Sequence, residues 1–568
     1  MKNIYIILTV FALSLVSCNS LDLYPLDQGS SETWYSNETE YEMAVNDLYR
    51  TAFWPVAKEA WSDDYLYRDV AGPDIVDGTL NSETNTSGSV ELATFYTNQY
   101  KAIARSNAII ANLDRGRENG INEATLLSYE AQARFSRAAH YAMLVFAFGD
   151  VVYVEDLLTI EAASKMARSP KADVIKIIYD DFDYAAEHLP ASYTGKQVAT
   201  KGAALALKAR YALYFGDYEI AATAAKACMD LGIYKLHKDY GDLFYTKNAE
   251  ESIFLLPRST ALLIGNIGDA KSYYPRTVGG FSSKVPSWAL LAAYECTDGK
   301  LIDESPLFDS HNPFQNRDPR CTASIVEFGS EFVGYEYTPH PEVTKVMDYS
   351  TGKLVNNNDT RARAQFASFT GLVWRKSVDR TWGPDTNFTP ENDLIIIRYA
   401  DVLLIYAEAK IELNQIDQSV LDAINQVRAR AYGVKLSDVS NYPAITTTNQ
   451  KELRTVLRRE RRVELAFEGL RYYDLIRWGL AQKALNKPNC GVLYPGNELI
   501  DKVVKPGHWF WPYAPEIDED GIADFSRMVS DGYVQVCSKG AFSERQYLWP
   551  IPAKELVINP NMTQNPGY

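Results

Sequence analysis

The chain has 568 residues, 46% hydrophobic and 23% charged, with a formal net charge of −16 at pH 7. That acidic balance argues against a nucleic-acid partner and against charge-driven binding to an anionic membrane, since both need a basic face. Length and globular composition leave room for several domains. The 38 tyrosines nudge toward a binding surface, because each offers a flat apolar face and a hydroxyl.

The N-terminus reads MKNIYIILTVFALSLVSCNS. Lys2 precedes an apolar run from Ile4 to Val16, shorter than the roughly 20 residues that span a bilayer. This is the pattern of a secretory signal over residues 1–17. Leu15-Val16-Ser17-Cys18 matches the bacterial lipobox and marks Cys18 as a lipidated mature N-terminus. Each CH₂ of an acyl chain adds about 0.8 kcal/mol of membrane affinity. The alternative is an ordinary cleaved signal with Cys18 incidental. Residues 18–37 read as a polar leader, and no later stretch is apolar enough to span a membrane.

From Glu38 the pattern turns helical, with Tyr41, Val45, Leu48 and Tyr49 at helical spacing. Residues 77–90 are polar and read as a loop. Tyr100 to Leu113 places Ile103, Ala104, Asn107, Ile110 and Ala111 on one face, and Leu126 to Phe148 ends at Gly149. Ser169-Pro170 predicts a serine cap with proline at the first helical position. An apolar stripe follows through Val174, Ile178, Phe182 and Ala185 to Leu189. Two later stretches, Lys201–Gly232 and Arg398–Ala431, each read as helix, short polar break, helix. They follow the logic of tetratricopeptide hairpins, which complete a core by stacking. The fold class is therefore mainly α: a helical scaffold over 38–234 and 394–485, covered by a loop-rich part with short strands over 235–393 and 486–545. Together these make one domain, 38–568.

Chemistry-bearing motifs are scarce. Cys228, Cys296, Cys321, Cys490 and Cys537 are odd in number and form no C-x-x-C, so no zinc ribbon or thioredoxin-type site is supported. Export permits a disulfide, and pairing of Cys490 with Cys537 stays open. Glu460, Glu464 and Glu468 share a helical face, but six arginines between Arg458 and Arg477 surround them. A structural ion-pair network explains that stripe better than acid–base catalysis. The six histidines are scattered, and no nucleophile elbow, P-loop or dinucleotide fingerprint is present. Asp63-Asp64 is the most tempting carboxylate pair for glycoside hydrolysis, although adjacent side chains usually diverge.

Several segments in order resemble the SusD/RagB family of nutrient-binding outer-membrane lipoproteins. They are NSLDLYP after Cys18, YKAIARSNAII from Tyr100, EAQARFSRAAHYAMLVFAFGDV from Glu130, IRYADVLLIYAEA from Ile397, RRERRVELAFEGLRYYDLIRWG from Arg458 and the terminal YLWPIPAKELVINPNMTQNPGY. FGDVVYVED lacks the proline often found after FGD. The resemblance implies a scaffold of tetratricopeptide-like pairs in which Arg398, Tyr399, Asp401, Glu408, Glu464, Glu468, Arg471, Asp474 and Arg477 link helices to loops. It also implies a lid on a SusC-like TonB-dependent β-barrel transporter, anchored in the outer membrane by Cys18 and facing the cell exterior. Such a lid passes oligosaccharide, or in some branches peptide, into the barrel. No catalysis and no obligatory cofactor are implied, with a structural calcium in some members. A lipid-anchored glycoside hydrolase is the reading from another class. Sugar recognition calls for exposed aromatics beside polar side chains on loops. The candidates are Tyr67, Asn81, Phe95, Asn98, Tyr273, Tyr274, Trp374 and Trp382. Trp54, Trp288, Trp478 and Trp549 lie in scaffold motifs and are assigned to the core.

Overall fold

Polar side chains start most of the long helices, because the first turn of a helix leaves backbone N–H groups without partners. The computed structural model describes residues 34–54, 59–68, 86–262, 270–380 and 390–568. Asn37 caps α1 (Glu38–Asp47), Ser89 caps α2 (Val90–Ala111) and Asn122 caps α3 (Glu123–Phe148), which stops at Gly149 in a positive-φ conformation. Next comes α4 (Lys171–His188), followed by α5 (Lys201–Phe215) and α6 (Tyr218–Asp230), with left-handed Gly216 in the break. The second hairpin is α7 (Tyr399–Glu412) and α8 (Gln418–Ala431), broken at positive-φ Asn414 and capped by Asp417. Then follow α9 (Gln450–Glu464) and α10 (Arg471–Arg477).

Two expectations shift. The Tyr100 helix begins at Val90, because Ser89 caps it and accepts from Leu92 N. Its buried face runs through Ala102, Ile103, Ser106, Asn107 and Ile109, which leaves Ala104 exposed. At α4, Pro170 is the cap position and Ser169 instead pairs with Val151 as an isolated β-bridge. The cap comes from a distance: Lys171 N donates to Asp150 Oδ1 at 2.8 Å.

The helices from α2 to α10 share one core, and Tyr41 and Val45 of α1, with Leu48 just past it, form a smaller cluster with Ile109, Leu126 and Ala133. Ala203, Ala204, Ala206 and Ala209 on α5 and Ala221 and Ala225 on α6 are fully buried, so the backbones approach closely. Among the described residues no helix is long and apolar enough to cross a membrane.

The intervening segments form short antiparallel pairs and a second core. β1 (Tyr65–Tyr67) pairs with β3 (Lys284–Pro286), placing Tyr67 opposite Lys284. β2 (Ser252–Leu256) pairs with β8 (Leu394–Arg398), the strand that feeds α7. A four-stranded sheet runs in order through β4 (Glu331–Phe332), β5 (Tyr335–Glu336), β6 (Lys345–Asp348) and β7 (Lys353–Asn356). β9 (Pro488–Val492) pairs with β12 (Val534–Lys539), and β10 (Glu516–Ile517) with β11 (Ala523–Asp524). Trp288, Trp374, Trp511, Phe510 and Phe525 fill the second core, while Phe254 of β2 and Ile397 of β8 pack into the helical one. Cys490 and Cys537 lie on the paired strands β9 and β12, both as free thiols.

The two cores meet at a buried ion-pair joint. Arg398, at the β8–α7 boundary, donates to Glu251 and Glu464 at 2.6 Å each and to Glu468 at 2.8 Å. Arg320 reaches Asp318 at 2.7 Å and Glu464 at 2.9 Å. Arg461 joins Asp401 at 2.9 Å to Asp474 at 3.0 Å, and Arg210 comes to Asp401 from α5 at 2.7 Å. Burial alone would raise the Glu464 pKa, but Arg430, Arg398 and Arg320 outweigh it and hold the carboxyl well below its ordinary range.

Candidate functional site

The carboxylates that could have done acid–base chemistry are committed to this joint. Asp63 accepts from Arg462 and from Arg471, each at 2.9 Å, and Asp64 accepts from Arg462 at 2.6 Å. Burial would raise the Asp63 pKa, but Arg462 and Arg471 hold it well below the carboxylate range. Glu460 and Glu464 are fully buried among arginines, and Glu468 binds Lys376 at 2.7 Å. The carboxylate stripe is an ion-pair network, in line with the sequence reading. Among the described residues no three His, Cys, Asp or Glu side chains converge as a metal site.

A different chemistry appears on the loop-rich face. The loop after Tyr273 turns tightly, with Ser282 N donating to Tyr274 O at 2.9 Å and Ser283 N to Ser272 O at 2.9 Å. Gly280 is required there, because a Cβ would lie 2.3 Å from Tyr274 O. The turn presents Phe281, 46% exposed, with the Lys271 ammonium 5.7 Å from its ring centre. A second loop, RARAQFASF from Arg361, presents Phe366, 50% exposed. Arg68, just past β1, ties the two together by donating to the carbonyls of both Phe281 and Phe366. Its guanidinium lies 5.3 Å from the Phe366 ring centre. Asp359 fixes the second loop against the first by accepting from Arg276 N at 2.7 Å and Thr277 N at 3.3 Å.

Arg361 lies behind these rings. Its guanidinium is 3.9 Å from the Phe369 ring centre and 4.5 Å from that of Tyr494, which is 39% exposed. Tyr494 reaches this place because Gly496 packs on Ala362, whose Cα would be 2.6 Å from an added Cβ. The face thus combines exposed rings with cations, on loops held by backbone hydrogen bonds.

The expected ligand residues divide. Tyr67 belongs to this face: it is half-buried on β1, with Lys284 Nζ 5.2 Å from its ring centre. Three others are core, contrary to expectation. Phe95 is buried within α2 and meets Trp549 at 5.0 Å and Phe148 at 6.3 Å, because the helix starts earlier than its periodicity indicates. Tyr274 is buried and donates to Asp379 O at 2.8 Å. Trp374 is fully buried and stacks on Phe467 at 4.2 Å, with Tyr273 against the same ring at 5.4 Å. Tyr273 is half-buried in that stack, and Asn98 is half-buried on α2. Cys18, Asn81 and Trp382 lie outside the described residues. Trp54, Trp288 and Trp549 are core as expected, and Trp478 is half-buried with its Nε1 on Glu408 at 2.7 Å. Sequence reasoning missed Arg68, Phe281, Arg361, Phe366 and Tyr494. The only signal was the interleaving of arginine and phenylalanine in RARAQFASF.

The fold and this face can be set against known proteins. A family model described as the SusD family matches residues 259–568. The chain belongs to the SusD family. A second model, described as starch-binding and associating with the outer membrane, matches residues 26–213. SusD-like protein P2 of Formosa agariphila is 28% identical over 609 residues, with 100% of both chains covered. A SusD-like protein of Bacteroides ovatus is 22% identical over 614 residues, covering 100% of this chain and 98% of its own. Among solved structures, a SusD-like carbohydrate-binding protein of Bacteroides fragilis is 28% identical. It covers 93% of this chain and 99% of its own, with a TM-score of 0.74. A laminarin-binding SusD-like protein, 20% identical, shares the fold with a TM-score of 0.58 over 94% of this chain and 100% of its own. Membership places the chain in a carbohydrate-binding family associated with the outer membrane.

Proposed function

We propose that this SusD-family chain is a lipid-anchored, cell-surface protein that captures oligosaccharide and delivers it to a SusC-like TonB-dependent transporter. The observation that carries the reading is the cluster of exposed rings, Phe281, Phe366 and Tyr494, beside half-buried Tyr67 on one loop-built face. Sugar rings stack their C–H faces on such aromatics, while neighbouring polar groups fix orientation. Cys18 supplies the tether. Binding in place of turnover is supported by the carboxylates Asp63, Asp64, Glu460 and Glu464, each of which is ion-paired with arginine.

Titration calorimetry of the full mature chain against panels of oligosaccharides and peptides tests the reading. Oligosaccharide should bind, and a Phe281→Ala/Phe366→Ala variant should lose about tenfold in affinity, equal to about 1.4 kcal/mol. Peptide binding without glycan binding would turn the reading toward peptide capture. Shortened sugars in the titrated sample would turn it toward a hydrolase. Co-purification of the transporter with the anchored protein checks delivery.

A further inference from the structure

Every other buried arginine among the described residues donates to a carboxylate or to backbone carbonyls. Arg137 uses Asp181, Arg317 uses the carbonyls of Pro313, Leu291 and Tyr294, and Arg428 uses Glu460. Arg361 differs. It is 5% exposed, and its Nε and Nη1 are buried without a hydrogen-bond partner. Its contacts are two aromatic faces, at 3.9 and 4.5 Å. Cation–π attraction offsets part of the lost hydration, but it leaves the Nε and Nη1 donors unused. A guanidinium stays charged throughout the physiological range. The charge next to it has the same sign, since Arg68 is close enough to disfavour the Arg361 cation. Lys271 and Lys284 stand on the neighbouring rings of Phe281 and Tyr67. This concentration of positive charge sits on a protein with a net charge of −16. The open depression near Tyr240 offers a contrast: its Arg430 is held by Glu251 and Glu464, and its Arg380 faces Asp242 at 3.3 Å.

We infer that the Arg361 guanidinium is the anchor for an acidic group on the captured glycan, a uronate carboxylate or a sulfate ester. Both bring anionic oxygens that accept from guanidinium N–H donors, and such charge-assisted hydrogen bonds are about twice as strong as neutral ones. Phe366 and Tyr494 would then stack the sugar that carries the group, while Arg68 adds a second positive charge. The inference rests on the glycan-capture reading and names the substrate class for the same face.

The test is calorimetry of the full mature chain with oligosaccharides of matched length. Oligogalacturonate supplies carboxylate, a carrageenan oligosaccharide supplies sulfate, and maltooligosaccharide and laminarin oligosaccharide are neutral. At least one acidic ligand should bind about tenfold more tightly than the neutral ones. That preference should shrink as salt rises from about 50 to about 500 mM, because added ions screen exposed charge. The stronger acidic arm tells carboxylate from sulfate. Arg361→Gln should bring the acidic-to-neutral ratio toward one. If that variant does not melt cooperatively, Arg68→Gln, on the more open flank, should lower the same ratio. Neutral ligands binding as well as acidic ones, or a folded Arg361→Gln that keeps the preference, overturns the acidic-group inference and leaves glycan capture standing. Failure of every oligosaccharide to bind overturns both.

Discussion

The joint around Arg398 and the loop face around Arg361 both take guanidinium out of water, and they meet the cost in opposite ways. Arg398 is surrounded by Glu251, Glu464 and Glu468, so its charge is neutralised within the fold. Arg361 has two rings and, among the described residues, no carboxylate. A buried charge that is paired helps to specify how elements dock. One left unpaired costs stability unless something from outside completes it. The difference separates residues that build the scaffold from residues kept for a ligand, although both are arginines in conspicuous sequence clusters.

The comparison can be broken most forcefully at the joint. Glu464→Gln leaves Arg398 and Arg430 short of their shared partner. It should cost about 3–5 kcal/mol, the usual penalty for breaking a buried pair, read as a lower midpoint in urea. Trp374→Ala should cost about 3 kcal/mol by opening a cavity beside Phe467 in the second core. Its calorimetric signature is lost stability, with affinity preserved in the folded fraction. Acid should act on the joint as a whole. Asp63, Asp401, Glu464, Glu468 and Asp474 are all held below their ordinary values, because arginine and lysine neighbours outweigh burial. Groups depressed in the folded state stabilise it above the unfolded carboxylate range. That contribution is lost as pH falls, so urea midpoints should drop steeply below about pH 4.

The loop face should respond the other way. Phe366→Ala should weaken oligosaccharide binding by about 1–2 kcal/mol. Its melting free energy should stay within about 0.5 kcal/mol, as expected for an exposed side chain. Arg361→Met gives the sharpest contrast with the joint. Replacing an unpaired buried charge with an apolar side chain should stabilise the protein by about 1 kcal/mol, while lowering affinity for acidic glycan. A variant that instead destabilises as strongly as Glu464→Gln would make Arg361 a scaffold arginine, and the comparison would collapse.

The helical half was the more legible. Repeating alanines lie on the packed faces of α5 and α6, and the breaks at Gly216 and Asn414 lie where the hairpins turn. The arginine-rich context of Glu460 and Glu464 was enough to read ion pairing in place of catalysis. The binding face was much less legible. Trp374 and Tyr274 sit in a loop-rich stretch with no periodicity, and a loop tryptophan can face solvent or a second core. Here Phe467, from beyond α9, covers Trp374. Phe281 and Phe366 gave no stronger signal than their buried neighbours.

By itself the sequence determined the tetratricopeptide-like hairpins, the family and the pairing of the carboxylate stripe. These are local or periodic features, written in side chains that repeat along one helix face or sit at fixed spacings. Only the tertiary structure decided which aromatics are exposed and that, among the described residues, Arg361 Nε and Nη1 are buried without a partner. Both depend on contacts between segments far apart in the chain: Arg68 with the carbonyls of Phe281 and Phe366, Asp359 with the turn at Arg276, and Gly496 against Ala362. Charge compensation is a property of what surrounds a side chain in space, and no spacing along the chain encodes it.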